Sequence, residues 1–273
     1  MSNKWVKALL VVLLTWLALM SCQSIVRSGQ VNLLPRLLGV DNWTERNETL
    51  SHPSAGLAEL VVESQNGGIT LIGSDETEDI TVEAHYRAQA SSEAAANKKL
   101  EQMSTDIKQE GNKLVIRAIY SSARTRESIN YTVTLPRALS VQAKTSNGGL
   151  EATDLGGEVT LNTSNGRIIV SSEKGPRELV ARTSNGSITI NTVPESGYYN
   201  LRTSNGSVKV KLPEELGISL SAKTSNGSIN LGSGQWSFDG GRLSKNQVDA
   251  ERGNGELKLN ITTSNGSITL QDD

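Results

Sequence analysis

Thr183-Ser184-Asn185-Gly186-Ser187-Ile188-Thr189-Ile190 is the stretch whose reading decides the fold. Asn-Gly favours a sharp bend, because Asn tolerates the left-handed region and Gly has no Cβ to clash. Ile188 and Ile190 then alternate with polar residues, which is a strand with one buried face. The pattern recurs along the chain. Thr-Ser-Asn-Gly occurs six times, with its Asn at 147, 165, 185, 205, 226 and 265. Ser207-Val208-Lys209-Val210, Ser228-Ile229-Asn230-Leu231 and Ser267-Ile268-Thr269-Leu270 repeat the alternation. The gaps are 18, 20, 20, 21 and 39 residues. The last reads as two periods, with Asn254-Gly255-Glu256-Leu257 as a degenerate copy inside it. Ser64-Gln65-Asn66-Gly67 reads as an earlier relic.

A second bend falls between the first kind, at Asp154–Gly157, Glu173–Pro176, Pro194–Gly197 and Pro213–Gly217. One period of about 20 residues thus holds two strands and two turns, the size of a solenoid coil. Hairpins in a meander have no need of the same four residues at every other turn. A solenoid gains from them, because identical side chains stacked in register form hydrogen-bonded ladders. Asn147, Asn165, Asn185, Asn205, Asn226 and Asn265 are the expected bend ladder. The expected fold is all-β: a parallel β-solenoid with coils of about 20 residues and one short helix in the N-terminal half. An antiparallel β-sandwich or prism is the alternative.

Residues 57–136 are less regular. Leu57–Glu63, Ile69–Ile72, Ile80–Tyr86, Leu114–Ile119 and Ile129–Leu135 read as strands, with Pro136 ending the last. Ser91–Asp106 lacks Gly and Pro and is rich in Ala, Glu, Lys and Gln, so a helix is expected there. The sequence therefore divides into residues 57–136, an N-terminal β lobe serving as a cap, and residues 137–273, the repeat solenoid. Solenoids need ends unlike the repeat, since an open end exposes unpaired strand edges. Gln235–Gly253, with Trp236 and Phe238, is expected to close the other end.

Residues 1–22 read as an export signal. Lys4 and Lys7 precede an uncharged apolar run, Ala8–Met20, that is short for a membrane span. Leu19-Met20-Ser21-Cys22 resembles a bacterial lipobox, in which Cys22 is lipidated and opens the mature chain. Met20 departs from the usual small residue. Cys22 is the sole cysteine of the chain. Gln23 follows it, which by the rule for Gram-negative lipoproteins directs the protein to the outer membrane. An uncleaved signal anchor in the inner membrane is the alternative. Residues 23–56, polar and with two prolines, read as a tether.

These residues together resemble a bacterial family that carries the name putative adhesin, a domain of unknown function. The likeness spans roughly residues 57–271. Its marks are a leading strand with Asn66-Gly67, the segment Tyr131–Pro136, and then serial Asn-Gly-x-Ile/Val strands. The resemblance implies an exported β-solenoid-like domain and carries over no catalytic residues.

The sequence gives little for catalysis. A formal net charge of -2 argues against nucleic acid as a bulk electrostatic partner. His52 and His85 are far apart, no Cys/His cluster exists for zinc, and no cofactor or metal is expected. Gly232–Gly234 and Gly253–Gly255 lack the strand–turn–helix setting that cradles phosphate. Glu173, Glu195, Glu214 and Glu215 fall in turns, as solvated turn residues do. One feature points to a ligand. The residue before each Thr-Ser-Asn-Gly is Lys144, Asn162, Arg182, Arg202, Lys223 or Thr262. With Thr pointing inward these point outward and stack, with Arg167 and Lys209 just across the bend. Such an anion-binding stripe suits a phosphate-rich polymer, an acidic polysaccharide or lipid headgroups. Ordinary solvated edge charges that guard against aggregation are the plainer explanation of the same residues. The expected function is an envelope-anchored, non-catalytic binding or scaffolding module. The alternatives are a carbohydrate-active enzyme on the same fold and an envelope-stress signalling component acting through a partner protein.

Overall fold

The computed structural model describes residues 42–122, 126–232, 234–238 and 243–272. The expected signal peptide, Cys22 and residues 23–41 of the expected tether lie outside them. All described residues belong to one compact unit.

Two sheets face one another across a single apolar core. The leading sheet holds the strands that run into each Asn-Gly bend: Ser140–Asn147, Glu158–Asn165, Glu178–Asn185, Gly197–Asn205, Ile218–Asn226 and Leu257–Asn265. The trailing sheet holds the strands that leave it, such as Ile168–Ser172, Ile188–Thr192 and Val208–Leu212. Equivalent strands pair in parallel and in register, with Thr163 beside Thr183 and Ile168 beside Ile188. The expected parallel solenoid is therefore the observed architecture. Coil length varies at the second kind of bend, where four residues separate Thr153 from Glu158 and five separate Ser172 from Glu178.

Three kinds of hydrogen bond recur along the Asn-Gly ladder and lock the register. First, each Asn donates its side-chain amide to the Asn of the coil before it. Asn147 donates to Asn66 at 2.7 Å, Asn165 to Asn147 at 2.9 Å, and Asn185 to Asn165 at 2.9 Å. Asn205 donates to Asn185 at 2.9 Å, Asn265 to Asn205 at 2.8 Å, and Asn226 to Asn265 at 2.8 Å. Second, the buried Thr two residues earlier donates its hydroxyl to the glycine carbonyl of the preceding bend. Thr163 reaches Gly148 and Thr183 reaches Gly166, both at 2.9 Å. Third, the Gly N–H donates onward to the next Asn carbonyl, as Gly166 does to Asn185 at 3.1 Å. Each bond contributes about 1 kcal/mol net. The buried threonines matter most, since a dry carbonyl left unpaired is costly.

The glycines of this ladder are needed for a reason other than the one the sequence suggested. Among Gly148, Gly166, Gly186, Gly206, Gly227 and Gly266 none has a positive φ; in the ladder only Gly67 does. A Cβ on Gly166 would instead lie 2.0 Å from the carbonyl oxygen of Gly148, and one on Gly186 would lie 2.0 Å from that of Gly166. Close stacking of backbone on backbone, not turn chirality, excludes every other residue.

The coils do not stack in chain order. In the leading sheet Leu257–Asn265 lies between Gly197–Asn205 and Ile218–Asn226. In the trailing sheet Ile268–Asp272 likewise inserts beside Val208–Leu212. The 39-residue gap is thus one adjacent rung reached after a long excursion, and Asn254-Gly255 is not a degenerate rung. Asn254 sits at the second kind of bend, against Gly217. The other end mirrors this. Glu59–Glu63 lies between Lys113–Ile119 and Ser140–Asn147, so Asn66 is a full first rung of the ladder.

Antiparallel strands cover both sheets at the N-terminal end and the leading sheet at the other, where the trailing sheet ends on the parallel strand Ile229–Asn230. Gln247–Arg252 pairs antiparallel with Ile218–Asn226, as expected of the segment around it. At the other end Asp79–Ala90 pairs antiparallel with both Glu127–Pro136 and Asn42–Pro53. Residues 42–53 therefore form a twelve-residue strand rather than tether. The expected helix is shorter than the sequence implied. It spans Glu93–Gln102, capped by the Ser92 hydroxyl accepting from the Ala95 N–H, and Ser104–Glu110 is a strand. Met103 is buried and extended, and Gly111, at φ 64°, turns the chain into a hairpin with Lys113–Ile119.

Three tyrosines fill the core. The Tyr86 hydroxyl donates to Glu48 at 2.8 Å, and Thr105 lies 2.6 Å from it and 3.0 Å from the Tyr131 hydroxyl. Tyr199 lies 3.3 Å from Thr192. Burial pushes the pKa of Tyr86 and of Tyr199 up from 10.0 to about 12, and raises that of Tyr131 also. Raised phenol pKa values mean that the folded state holds protons which the unfolded chain gives up. Their contribution is intact below pH 10 and is lost as pH rises towards 12. Tyrosinate absorbance and far-ultraviolet dichroism are therefore expected to change together in an alkaline titration. Full ionisation of all five tyrosines with the β-signal intact would contradict this.

Candidate functional site

The outer face of the leading sheet carries the candidate site. Strand alternation builds it. In Glu178–Asn185 the residues Leu179, Ala181 and Thr183 are buried, so Arg182 and Ser184 point out to solvent. Parallel in-register pairing then stacks the outward residues into columns. One column runs Lys144, Asn162, Arg182, Arg202. Ser164, Ser184 and Ser204 form a second column beside it. Together they line a shallow open depression of about 320 Å³.

Lys144, Arg182 and Arg202 are exposed, and no carboxylate reaches them among the described residues. Their neighbours toward the cap behave otherwise. Arg117 pairs with Glu63 at 2.8 Å and Lys113 with Glu59 at 2.8 Å. Glu63, in register beside Lys144, is engaged by Arg117, and the acids of the next two strands, Glu158 and Glu178, sit at the strand starts. Four residues of strand put them about 13 Å from the arginine column. The face therefore presents uncompensated cations flanked by hydroxyl donors, which is chemistry for an extended anion.

Not every residue of the expected stripe belongs to it. Thr262 sits between Arg202 and Lys223, because the last coil is inserted there, so Lys223 stands apart from the column. Lys209 lies on the trailing sheet between buried Val208 and Val210 and so points off the opposite side. Arg167 is on the bend itself, level with Gly149 and Ser187. The serine column was missed in the sequence, although its signal, the Ser of every Thr-Ser-Asn-Gly, was in plain view. Among the described residues no three His, Cys, Asp or Glu side chains gather at metal-binding distance. No described helix is long and apolar enough to cross a membrane.

The profile of the family described as Toastrack DUF4097 matches residues 49–271. The chain belongs to the Toastrack family. Solved structures similar to this Toastrack chain include a protein from Clostridium sporogenes titled a putative cell adhesion protein. It is 11% identical, with a TM-score of 0.48, over 84% of this chain and 100% of its own. A putative adhesin from Bacteroides fragilis is 12% identical, with a TM-score of 0.33, over 83% of this chain and 97% of its own. One from Parabacteroides distasonis is 13% identical, with a TM-score of 0.34, over 82% and 97%. No curated protein matches.

Proposed function

We propose that this Toastrack domain is a non-catalytic, adhesin-like binding module of the cell envelope whose leading-sheet face holds an anionic polymer. One observation carries the reading: Lys144, Arg182 and Arg202 line one open depression without an ion-pair partner among the described residues, beside Ser164, Ser184 and Ser204. Successive coils lie about 4.8 Å apart. Cations stacked along a rigid rod, with Asn162 between the first and second, suit a polymer with repeating charge, and many weak contacts add through multivalency. Anchoring at the envelope through a lipid on Cys22 belongs to the same reading and rests on the sequence. Acidic polysaccharide and phosphate-rich surface polymer share the chemistry that such a column would recognise.

The test is retention on immobilised polygalacturonate and on immobilised polyphosphate. The triple variant K144Q/R182Q/R202Q should elute at distinctly lower salt than the parent, because fewer counterions are released on binding. The control R167Q/K209Q should elute with the parent. All five side chains are solvent-facing, so melting temperatures should stay close to that of the parent. Equal retention of parent and triple variant on both supports overturns the proposal.

A further inference from the structure

The ladder has an unfinished end, and its chemistry is specific. Asn-Gly is the dipeptide most prone to lose its amide. The Gly backbone nitrogen attacks the Asn side-chain carbon, a C–N bond forms, and the bond to Nδ2 breaks. Ammonia leaves carrying the glycine's amide proton, and water then opens the succinimide to aspartate or isoaspartate. The attacking nitrogen must give up its proton, so a hydrogen bond that holds this N–H in a sheet opposes the first step.

The chain has eight Asn-Gly pairs. In six, the glycine N–H is tied to the next rung. Gly67 donates to Asn147 at 2.9 Å, Gly148 to Asn165 at 3.1 Å, and Gly166 to Asn185 at 3.1 Å. Gly186 donates to Asn205 at 3.0 Å, Gly206 to Asn265 at 3.0 Å, and Gly266 to Asn226 at 3.1 Å. Gly227 closes the ladder with no rung beyond it, and its N–H has no partner among the described residues. Gly255 lies outside the ladder at φ 70°, likewise with no partner for its N–H.

We infer that Asn226 and Asn254 are the deamidation sites of the folded protein, and that the stack shields the other six. The sequence supplies its own control. Thr-Ser-Asn-Gly-Ser is identical around Asn185, Asn205, Asn226 and Asn265. Local sequence assigns all four the same rate, and only the tertiary stack separates Asn226 from the rest. Conversion at Asn226 would replace its amide donor to Asn265 with a carboxylate facing a carbonyl oxygen, so damage would start at the terminal rung and loosen the next.

The test is peptide mapping by mass spectrometry of the full chain after incubation at mildly alkaline pH, folded and in denaturing urea. In the folded protein Asn226 and Asn254 should convert about tenfold or more faster than the six tied sites. Reaction at a tied site requires a local opening that breaks several bonds at once. In urea, Asn185, Asn205, Asn226 and Asn265 should converge on one rate. Equal conversion of all eight in the folded protein overturns the inference, as does an Asn226 no faster than Asn205. An Asn226 that stays fastest in urea would move the cause from the stack to the chain and overturn it too.

Discussion

Gly148→Ala should cost the protein about 3–5 kcal/mol of stability, and Gly149→Ala, one residue further on, less than about 1 kcal/mol. A Cβ at 148 would lie 2.0 Å from the Gly67 carbonyl oxygen, 2.4 Å from its carbon and 2.9 Å from the Gly68 nitrogen. All three are backbone atoms, so no rotamer change relieves the clash. Relief comes only by parting two rungs, and that strains the bonds from Thr145 to Gly67 and from Asn147 to Asn66. The Thr145 hydroxyl and the new methyl compete for the same carbonyl. A Cβ at 149 meets the Arg167 carbonyl oxygen at 3.5 Å, an ordinary contact, and its φ is not positive. Urea midpoints of the two variants decide the matter. Equal, small losses would mean that the rungs are not packed as closely as described. Parallel variants at Gly186 and Gly206, whose clashes are also at 2.0 Å, should repeat the loss.

Arg252→Leu should cost about 3–5 kcal/mol, because it breaks a clasp that holds the inserted coil in place. Arg252 is only 6% exposed. Its guanidinium donates to the carbonyls of Leu216 at 3.1 Å and Pro213 at 2.8 Å, pairs with the carboxylate of Asp272, and lies 5.2 Å from the Trp236 ring centre. Leucine keeps apolar bulk but takes the guanidinium away from the Asp272 carboxylate and from both carbonyls, of which Pro213 keeps the Leu216 N–H as a donor and Leu216 does not. Lysine should not rescue it, since one ammonium cannot meet three acceptors in a fixed planar fork. The double variant R252L/D272N separates the causes. It should recover part of the loss, because the shielded negative charge goes while the Leu216 carbonyl still lacks the guanidinium. A thermal melt of R252L within about 2 °C of the parent would show that the clasp carries little.

Much of this architecture was legible locally. The Asn-Gly bends, the alternation after them and the period fix two strands per coil and a shared ladder, because side chains stacked in register bond to their own kind. Both closing segments were legible as departures from the repeat. The helix ran too far in the sequence reading because helix-forming composition continues past Gln102. The Gly111-Asn112 turn and the buried Met103 outweigh that propensity. Residues 42–53 looked polar enough for a tether. An edge strand with one solvated side reads the same way, and its partner lies some forty residues on. The basic stripe was half legible. Outward orientation follows from strand alternation, whereas the neighbours of each rung depend on stacking order.

The sequence by itself determined the coil, its two strands, its bend and the ladder of asparagines, since each follows from residues within one period. Only the tertiary structure decided the order of the coils. Asn205, Asn226 and Asn265 sit in the same Thr-Ser-Asn-Gly, so no local preference ranks them as neighbours. The order is set by closure instead. An exposed strand edge is costly, and placing the last coil inside the stack lets an antiparallel excursion cover the edge of the leading sheet.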